Sequence, residues 1–387
     1  MFQKKYFTIF VIMITEVLGF SLILPFLPFY AQTYGASPLL IGTILMAFSF
    51  FQFISAPIMG RLSDHYGRKP MLIFSQISTF ASFIILGFAN SLWMIFLSRI
   101  VDGMLGSNFT IAQAYISDIS TKKDRSKAFG ISGAAFGFGF LIGPAIGGYL
   151  SQFGYSLPSF IAAGISFITI ITTLFFLPET IKRKKKIKLD LKIFNFDEQK
   201  KYFAMPSVAS KLWIFFTYVL SHSIYVSNFA LYAERQLNFT AAHIGFVLTF
   251  IGVISIILRG FLLSKIIDWL GEINIQYLGI SFVIAAMILL SFANLPIFII
   301  AMALFSVGSG LSRPVLVGNI SKQISPNEQG SIMGVTSSLG SISQIIGPLV
   351  GGFMINYFFP GSLGIAVAVV ASFGLLLTIK DTKNFNT

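Results

Sequence analysis

Apolar runs of roughly 20 residues, parted by short polar breaks, recur along the whole chain. A helix of about that length crosses the hydrocarbon core of a bilayer. The pattern predicts twelve spans, near residues 6–31, 39–60, 70–89, 92–114, 127–150, 156–178, 208–233, 240–264, 273–294, 296–320, 329–352 and 360–379. The breaks are short and carry turn residues and charges: Thr33 to Pro38, Arg61 to Lys69, Asn90-Ser91, Thr121 to Ser126. The exception runs from Glu179 to Pro206 and holds Lys182-Arg183-Lys184-Lys185-Lys186-Ile187-Lys188, a linker by composition. The expected organisation is an all-α membrane protein, with a six-helix bundle over 1–178, a basic linker over 179–207 and a second six-helix bundle over 208–387.

The two halves repeat one another. Gly139-Phe-Leu-Ile-Gly143-Pro144-Ala-Ile-Gly147-Gly148 returns as Ser343-Gln-Ile-Ile-Gly347-Pro348-Leu-Val-Gly351-Gly352, a step of 348 − 144 = 204 positions. Asp64 and Gly67 return at the same step as Asp268 and Gly271, Gly106 as Gly310, Ser117 as Ser321, and Asp124 as Glu328. Glycine lets helices approach closely in lipid, and proline interrupts the backbone ladder at a fixed point. A copied six-helix unit of this kind is expected to form two pseudo-symmetric bundles with a mid-depth cavity between them, opened to each side in turn.

Composition removes other classes. Of 387 residues, 55% are apolar and 11% charged, with a mean hydropathy of +0.82, too little charge to coat a soluble protein of this size. There is no cysteine, and His65, His222 and His243 lack ligand spacing, so neither thiol chemistry nor a metal site is expected. The Met1-Phe-Gln-Lys4-Lys5 start with a long apolar run and no small-residue cleavage site reads as a first span rather than a signal peptide. The net charge of +13 suggests nucleic acid until the basic residues are placed. With an inside N-terminus, the inside segments are 1–5, 61–69, 115–126, 179–207, 265–272, 321–328 and 380–387. Of 27 Lys and Arg residues, all but Arg99, Arg235 and Arg313 lie in or against them. This bias puts both termini on the cytoplasmic side of the cell membrane and makes lipid, not nucleic acid, the partner.

Charge inside a span is costly and usually functional. Glu16 lies about ten residues into the first span, near the midplane at ~1.5 Å per residue. A carboxyl in a low-dielectric cavity retains a proton more readily than in water, so Glu16 is the candidate proton carrier; the alternative is a structural acid bonded to a neighbouring helix. Arg99 and Asp102 share a face of the fourth span and either join the proton path or merely pair at i,i+3. Arg313, in the tenth span, either attracts an anionic or polar substrate or fixes carbonyls at the break before Pro314. His222 is expected to be a hydrogen-bonded bundle residue. Phe20, Phe26, Phe29, Tyr30, Phe48, Phe51, Tyr225 and Phe229 fall where a cavity wall for an apolar or aromatic solute is expected, with packing or lipid contact as the alternative. Gly60-Arg61-Leu62-Ser63-Asp64-His65-Tyr66-Gly67-Arg68-Lys69-Pro70 reads as a tight charged turn, either a cytoplasmic latch for the outward-open state, with Asp64 at a helix N-terminus of the other half and Arg68 and Lys69 paired with acids such as Asp118, or a plain topology turn.

These strings resemble the major facilitator superfamily over the full length. Gly60 to Pro70 is similar to its motif between the second and third helices. Leu97-Ser-Arg99-Ile-Val-Asp102-Gly103 resembles its fourth-helix motif, and Gly139-x-x-x-Gly143-Pro144-x-x-Gly147-Gly148 matches its fifth-helix antiporter motif. Within the superfamily the chain is similar to the twelve-helix drug/proton antiporters. Glu16 stands where the tetracycline/proton antiporter group has a first-helix aspartate, and Asp102 to Asp118 also resembles that group.

The resemblance implies efflux of a hydrophobic or amphipathic compound driven by a proton gradient, with no cofactor. It implies Glu16 and Arg99 in coupling and Asn108 and Gln113 near the substrate, and the working unit is taken as a monomer. Three departures weigh against tetracycline itself: Glu for Asp in the first helix, no Arg-Lys pair after Gly271, and no deep acid in the ninth span. The alternatives are a facilitator or symporter for a metabolite such as a sugar, and a signalling or scaffold protein, which would need no buried charge. No nucleotide loop, nucleophile–base pair or metal cluster suggests an enzyme.

Overall fold

The computed structural model of the chain describes residues 2–120, 125–181, 196–325 and 328–386. Asp124 and the basic string 182–188 lie outside the described residues. Helices α1 (Phe2–Ile23), α2 (Leu27–Gln32), α3 (Pro38–Tyr66), α4 (Arg68–Gly87), α5 (Leu92–Leu105), α6 (Asn108–Ile119), α7 (Arg125–Leu150) and α8 (Ser156–Phe176) make up the first half. After a short linker helix α9 (Phe196–Phe203) come α10 (Pro206–Leu237), α11 (Ala241–Ile257), a π-helical turn (Leu258–Leu262), α12 (Leu263–Leu270), α13 (Glu272–Ser291), α14 (Leu295–Ser321), α15 (Gln329–Tyr357) and α16 (Ser362–Asn386). No strand occurs among the described residues.

Among the described residues, eleven helical stretches are long and apolar enough to cross a membrane. The expected fourth span is the exception, because it is two helices rather than one. Gly106 and Ser107 leave helical geometry (φ −80°, ψ 70° and φ −101°, ψ 30°), and the span resumes at Asn108 and runs on to Ile119. Two side chains support the break. The Ser55 hydroxyl donates to the Gly103 carbonyl at 2.8 Å and lies 3.3 Å from the Ser107 hydroxyl. A Cβ on Gly106 would press on the Asp102 carboxyl and carbonyl. Irregular backbone at this depth persists only where the protein itself satisfies it.

The turns between helix pairs are also tighter than the sequence suggests. The expected loop 61–69 shrinks to Gly67 alone, at φ +109°, between α3 and α4, and its copy is Gly271, at φ +77°. A left-handed residue reverses the chain in one step, so charges assigned to loops instead sit on the last and first helical turns.

Two compact units emerge. The first comprises Met1–Ala36, Ala47–Ile193 and Thr240–Thr249; the second comprises Ser37–Met46, Phe194–Phe239 and Phe250–Thr387. In the first unit α1 packs on α7 and α8, and α4 on α5 and α8. In the second α10 packs on α15 and α16, and α13 on α14 and α16. The repeated string explains both. A Cβ on Gly143 or Gly147 would overlap Ser21 or the Leu22 carbonyl of α1, and one on Gly347 or Gly351 would overlap Ser223 or Asn228 of α10. Gly148 similarly admits Gly245 of α11 in the first unit, and Gly352 admits Pro38 of α3 in the second. Gly139 packs on Val17 and gives its carbonyl to the Ser21 hydroxyl at 2.8 Å, while Pro144 offers its carbonyl face to Gly245. Lipid supplies no hydrophobic drive between helices, so close backbone packing has to hold them. At the foot of α15, Glu328 is held below the usual carboxylate range, first by a hydrogen bond from Lys201 of α9 and then by one from Ser325.

Gly147→Leu should therefore abolish a monodisperse folded peak in detergent chromatography, since overpacking costs about 1–3 kcal/mol or more and here meets backbone. Gly164→Ala, where nothing lies within 4 Å of the added carbon, should leave the peak unchanged.

Candidate functional site

The break in the fourth span positions the chemistry of the first unit. Because α6 restarts at Asn108, that side chain points back across the bundle. Its amide nitrogen donates to Glu16 Oε2 at 2.8 Å and to Thr79 Oγ1 at 2.9 Å. Thr79 in turn donates to Asp102 Oδ1 at 2.9 Å. The other Asp102 oxygen lies 3.8 Å from the Arg99 guanidinium, which also donates to Ser82 at 3.2 Å and Ser98 at 3.3 Å. Glu16, Asn108, Thr79, Asp102 and Arg99 thus form one continuous polar chain through α1, α6, α4 and α5. Arg99 and Asp102 are fully packed, and Glu16 is half-buried.

The chain is incompletely satisfied at one end. Glu16 Oε1, Asn108 Oδ1 and both amide atoms of Gln76 are buried without a hydrogen bond of good geometry. All are acceptors except the Gln76 amide nitrogen. An ionised Glu16 adds one more acceptor to this group, whereas a protonated Glu16 turns Oε1 into a donor. Buried orphan acceptors are costly, so this end of the chain is completed either by a proton on Oε1 or by the Gln76 amide nitrogen turned toward it.

One helical turn along α1 from Glu16, Phe20 stacks on Phe48 with ring centres 5.6 Å apart and lies 6.2 Å from Phe140. Phe140 stacks on Phe136 at 4.6 Å, and Phe136 meets Phe109 at 5.8 Å. Phe109 and Phe136 are exposed and the others are half-buried, so this is an accessible aromatic strip beside the carboxyl.

The Gly60–Pro70 segment forms a second cluster at the α3–α4 turn. Arg68, itself buried, pairs with Asp64 and donates to Asp118 Oδ2 at 2.8 Å, Ser63 Oγ at 2.6 Å and the Gly60 carbonyl at 3.4 Å. Asp64 therefore meets Arg68 of its own unit, the i,i+4 partner that one helical turn supplies. The Glu179 carboxylate accepts the Arg68 and Lys69 backbone N–H groups at 3.0 Å each, capping α4 where its free donors and dipole favour an anion.

The chain as a whole matches the model of the Major Facilitator Superfamily over residues 9–348 and again over 277–384. It belongs to the Major Facilitator Superfamily. It is 30% identical to "Multidrug resistance protein 2" of Bacillus subtilis (strain 168), covering 97% of this chain and 96% of that protein. It is 29% identical to "Tetracycline resistance protein, class H" of Pasteurella multocida, covering 92% and 90%. The nucleoside transporter NupG shares the fold at a TM-score of 0.80 and 13% identity, over 97% of this chain and 99% of that one.

Within this facilitator-type frame, four expected cavity-wall aromatics turn out to be packing residues. Phe26 is fully buried and stacks on Tyr155 at 6.1 Å, and Tyr30 donates to the Ala89 carbonyl at 2.8 Å. Tyr225 donates to Met302 Sδ at 2.9 Å, and Phe229 stacks on Phe298 at 6.1 Å. Each lies on the helix face turned toward its own bundle, which a side-chain type alone does not specify. Gln113 is half-buried on α6. Arg313 is exposed on α14. The charge pattern counts Arg259 with the inside segment 265–272, but it stands in the π-turn, eleven residues before the end of α12 (270 − 259 = 11). Thr79, Gln76, Ser55, Phe109, Phe136 and Phe140 also escape the sequence reading, because uncharged polar and aromatic residues are common in spans, and Glu179 shows there only as the start of the linker.

Glu179→Ala should lower the thermal unfolding temperature of the purified protein, through loss of about 1 kcal/mol at an accessible cap. Glu179→Gln, which keeps an acceptor oxygen, should lower it less. An unchanged midpoint in both would show that the cap contributes nothing.

Proposed function

We propose that this protein exports hydrophobic or amphipathic drug-like compounds across the cell membrane in exchange for protons, by alternating access. The observation that carries the reading is Glu16: one oxygen is held by Asn108, the other is buried without a hydrogen bond of good geometry, and an accessible aromatic strip begins one turn away. A compound lying on Phe20, Phe136 and Phe140 would sit next to the carboxyl, so its arrival and the proton's departure are coupled through one site. The printed names of the relatives, resistance proteins for multiple drugs and for tetracycline, support the same direction. Both termini are placed in the cytoplasm on the strength of the basic residues.

Asn108, Thr79 and Asp102 give the proton a defined environment. Asn108 fixes Glu16 in one rotamer and Thr79 holds Asp102 beside Arg99. The guanidinium offsets the Asp102 charge, so Glu16 is the member of the chain with no cation bonded to it. A site with one uncompensated carboxyl changes by one charge when a proton binds. That change is a differential interaction large enough to bias a two-state transporter.

In proteoliposomes with an imposed pH gradient, Glu16→Gln should abolish gradient-driven transport, a loss of at least an order of magnitude, while the protein remains folded. Wild-type transport that ignores a protonophore would point instead to a facilitator.

A further inference from the structure

Deep in its spans the second unit holds basic side chains, Arg259 and Arg313, where the first holds the acids Glu16 and Asp102 with Arg99. Within its spans every acidic residue lies near a helix end: Glu234, Asp268, Glu272 and Asp381, with Glu328 just before α15. Three of its lysines pair with three of these acids. Lys211 pairs with Asp381 at 2.9 Å, Lys322 with Glu272 at 2.6 Å, and Lys201 with Glu328. The two deep arginines do not. Among the described residues, no carboxylate forms an ion pair with Arg259 or Arg313.

These arginines belong to one built group. Arg259 donates to the Gly310 carbonyl at 3.3 Å and the Ser309 carbonyl at 3.4 Å, which directs its guanidinium onto α14. Tyr218 of α10 donates to the same Ser309 carbonyl at 3.2 Å. Arg313 stands one helical turn further along α14 from the Ser309 and Gly310 carbonyls that hold Arg259. The His222 ring stacks on Phe305 at 5.7 Å and lies 6.3 Å from Tyr218. Both arginines are exposed. By helix rise, Arg313 is about 12 Å and Arg259 about 16 Å from the ends of their helices at Ser321 and Leu270. At that depth an unpaired guanidinium facing hydrocarbon is strongly disfavoured. Two like charges held together need a counter-ion, and the unit supplies none.

We propose that Arg259 and Arg313, with the His222 and Phe305 rings beside them, bind the anionic group of an amphipathic aromatic substrate: a carboxylate, sulfonate or phosphate on a planar apolar body. This rests on the transporter reading and narrows its substrate class. A planar fork of donors suits an oxyanion, and the stacked rings suit an aromatic body. The same chemistry occurs in an anionic lipid headgroup, so the test separates the two sources.

Binding of radiolabelled naphthylacetate is measured on the purified protein in nanodiscs of zwitterionic lipid, without a pH gradient, with the neutral naphthylacetamide as competitor. The wild type should prefer the carboxylate over the amide by about tenfold, the size of one charge-assisted hydrogen bond. Arg313→Gln should erase that preference, and Arg313→Lys, which keeps the charge but not the planar fork, should keep only part of it, with both variants checked for a monodisperse peak. In discs containing phosphatidylglycerol at raised salt, binding should persist. Equal affinity for acid and amide, no saturable binding at millimolar naphthylacetate, or a preference unchanged in Arg313→Gln would overturn the proposal. Loss of binding in the phosphatidylglycerol discs would identify the occupant as a headgroup and overturn it too. Because no gradient is applied, failure here leaves the Glu16 efflux test standing, and failure of that test leaves this one standing.

Discussion

The hydrogen bond from Asn108 to Glu16 is the constraint on which the first unit turns. A carboxyl among apolar helices has to be held by protein, because lipid offers nothing. Holding it requires an amide at a particular height and angle, and a straight fourth span would not deliver one. The interruption at Gly106-Ser107 does, and it survives because Ser55 takes up the Gly103 carbonyl left by the missing helical turn. Close approach of α7 to α1, through Gly143 and Gly147, then keeps Glu16 and its neighbours Val17, Ser21 and Leu22 at fixed distance from the bundle. Backbone packing, helix break and acid are therefore successive requirements of one arrangement.

The duplication preserves backbone devices more faithfully than charges. Gly143 and Gly347 each admit a serine of the first helix of their own half, Ser21 and Ser223, and Gly67 and Gly271 reverse the chain with the same left-handed turn. The side chains have diverged. One unit has two deep acids and one deep arginine; the other has two deep arginines and no deep acid. Geometry that permits helix packing is hard to vary, because a single methyl overlaps backbone. Charge can be varied wherever the unit supplies an alternative partner or leaves one to be supplied.

Much of the architecture was legible from periodicity. Apolar run length marks spans irrespective of their neighbours, and the 204-residue step marks the duplication. Glu16, Arg99 and Asp102 stand out because charge is rare in such runs, Asn108 comes only from the family resemblance, and the structure brings all four into one chain. Three features did not show. The helix break rests on Gly106 and Ser107, residues that also occur in unbroken spans. The depth of Arg259 was hidden by its nearness to a charged segment. Aromatic side chains do not declare their face: Phe26, Tyr30, Tyr225 and Phe229 turned inward as packing, while Phe136 and Phe140 formed the accessible strip.

The most direct measurement is infrared difference spectroscopy of the purified protein, recorded on addition of an exported compound. The carboxyl C=O band of Glu16 is assigned by its absence in Glu16→Gln. The account expects that band to change on compound binding, with a proton released to an indicator dye in the same experiment. A Glu16 band that stays constant while the compound binds, with no proton released, would contradict it.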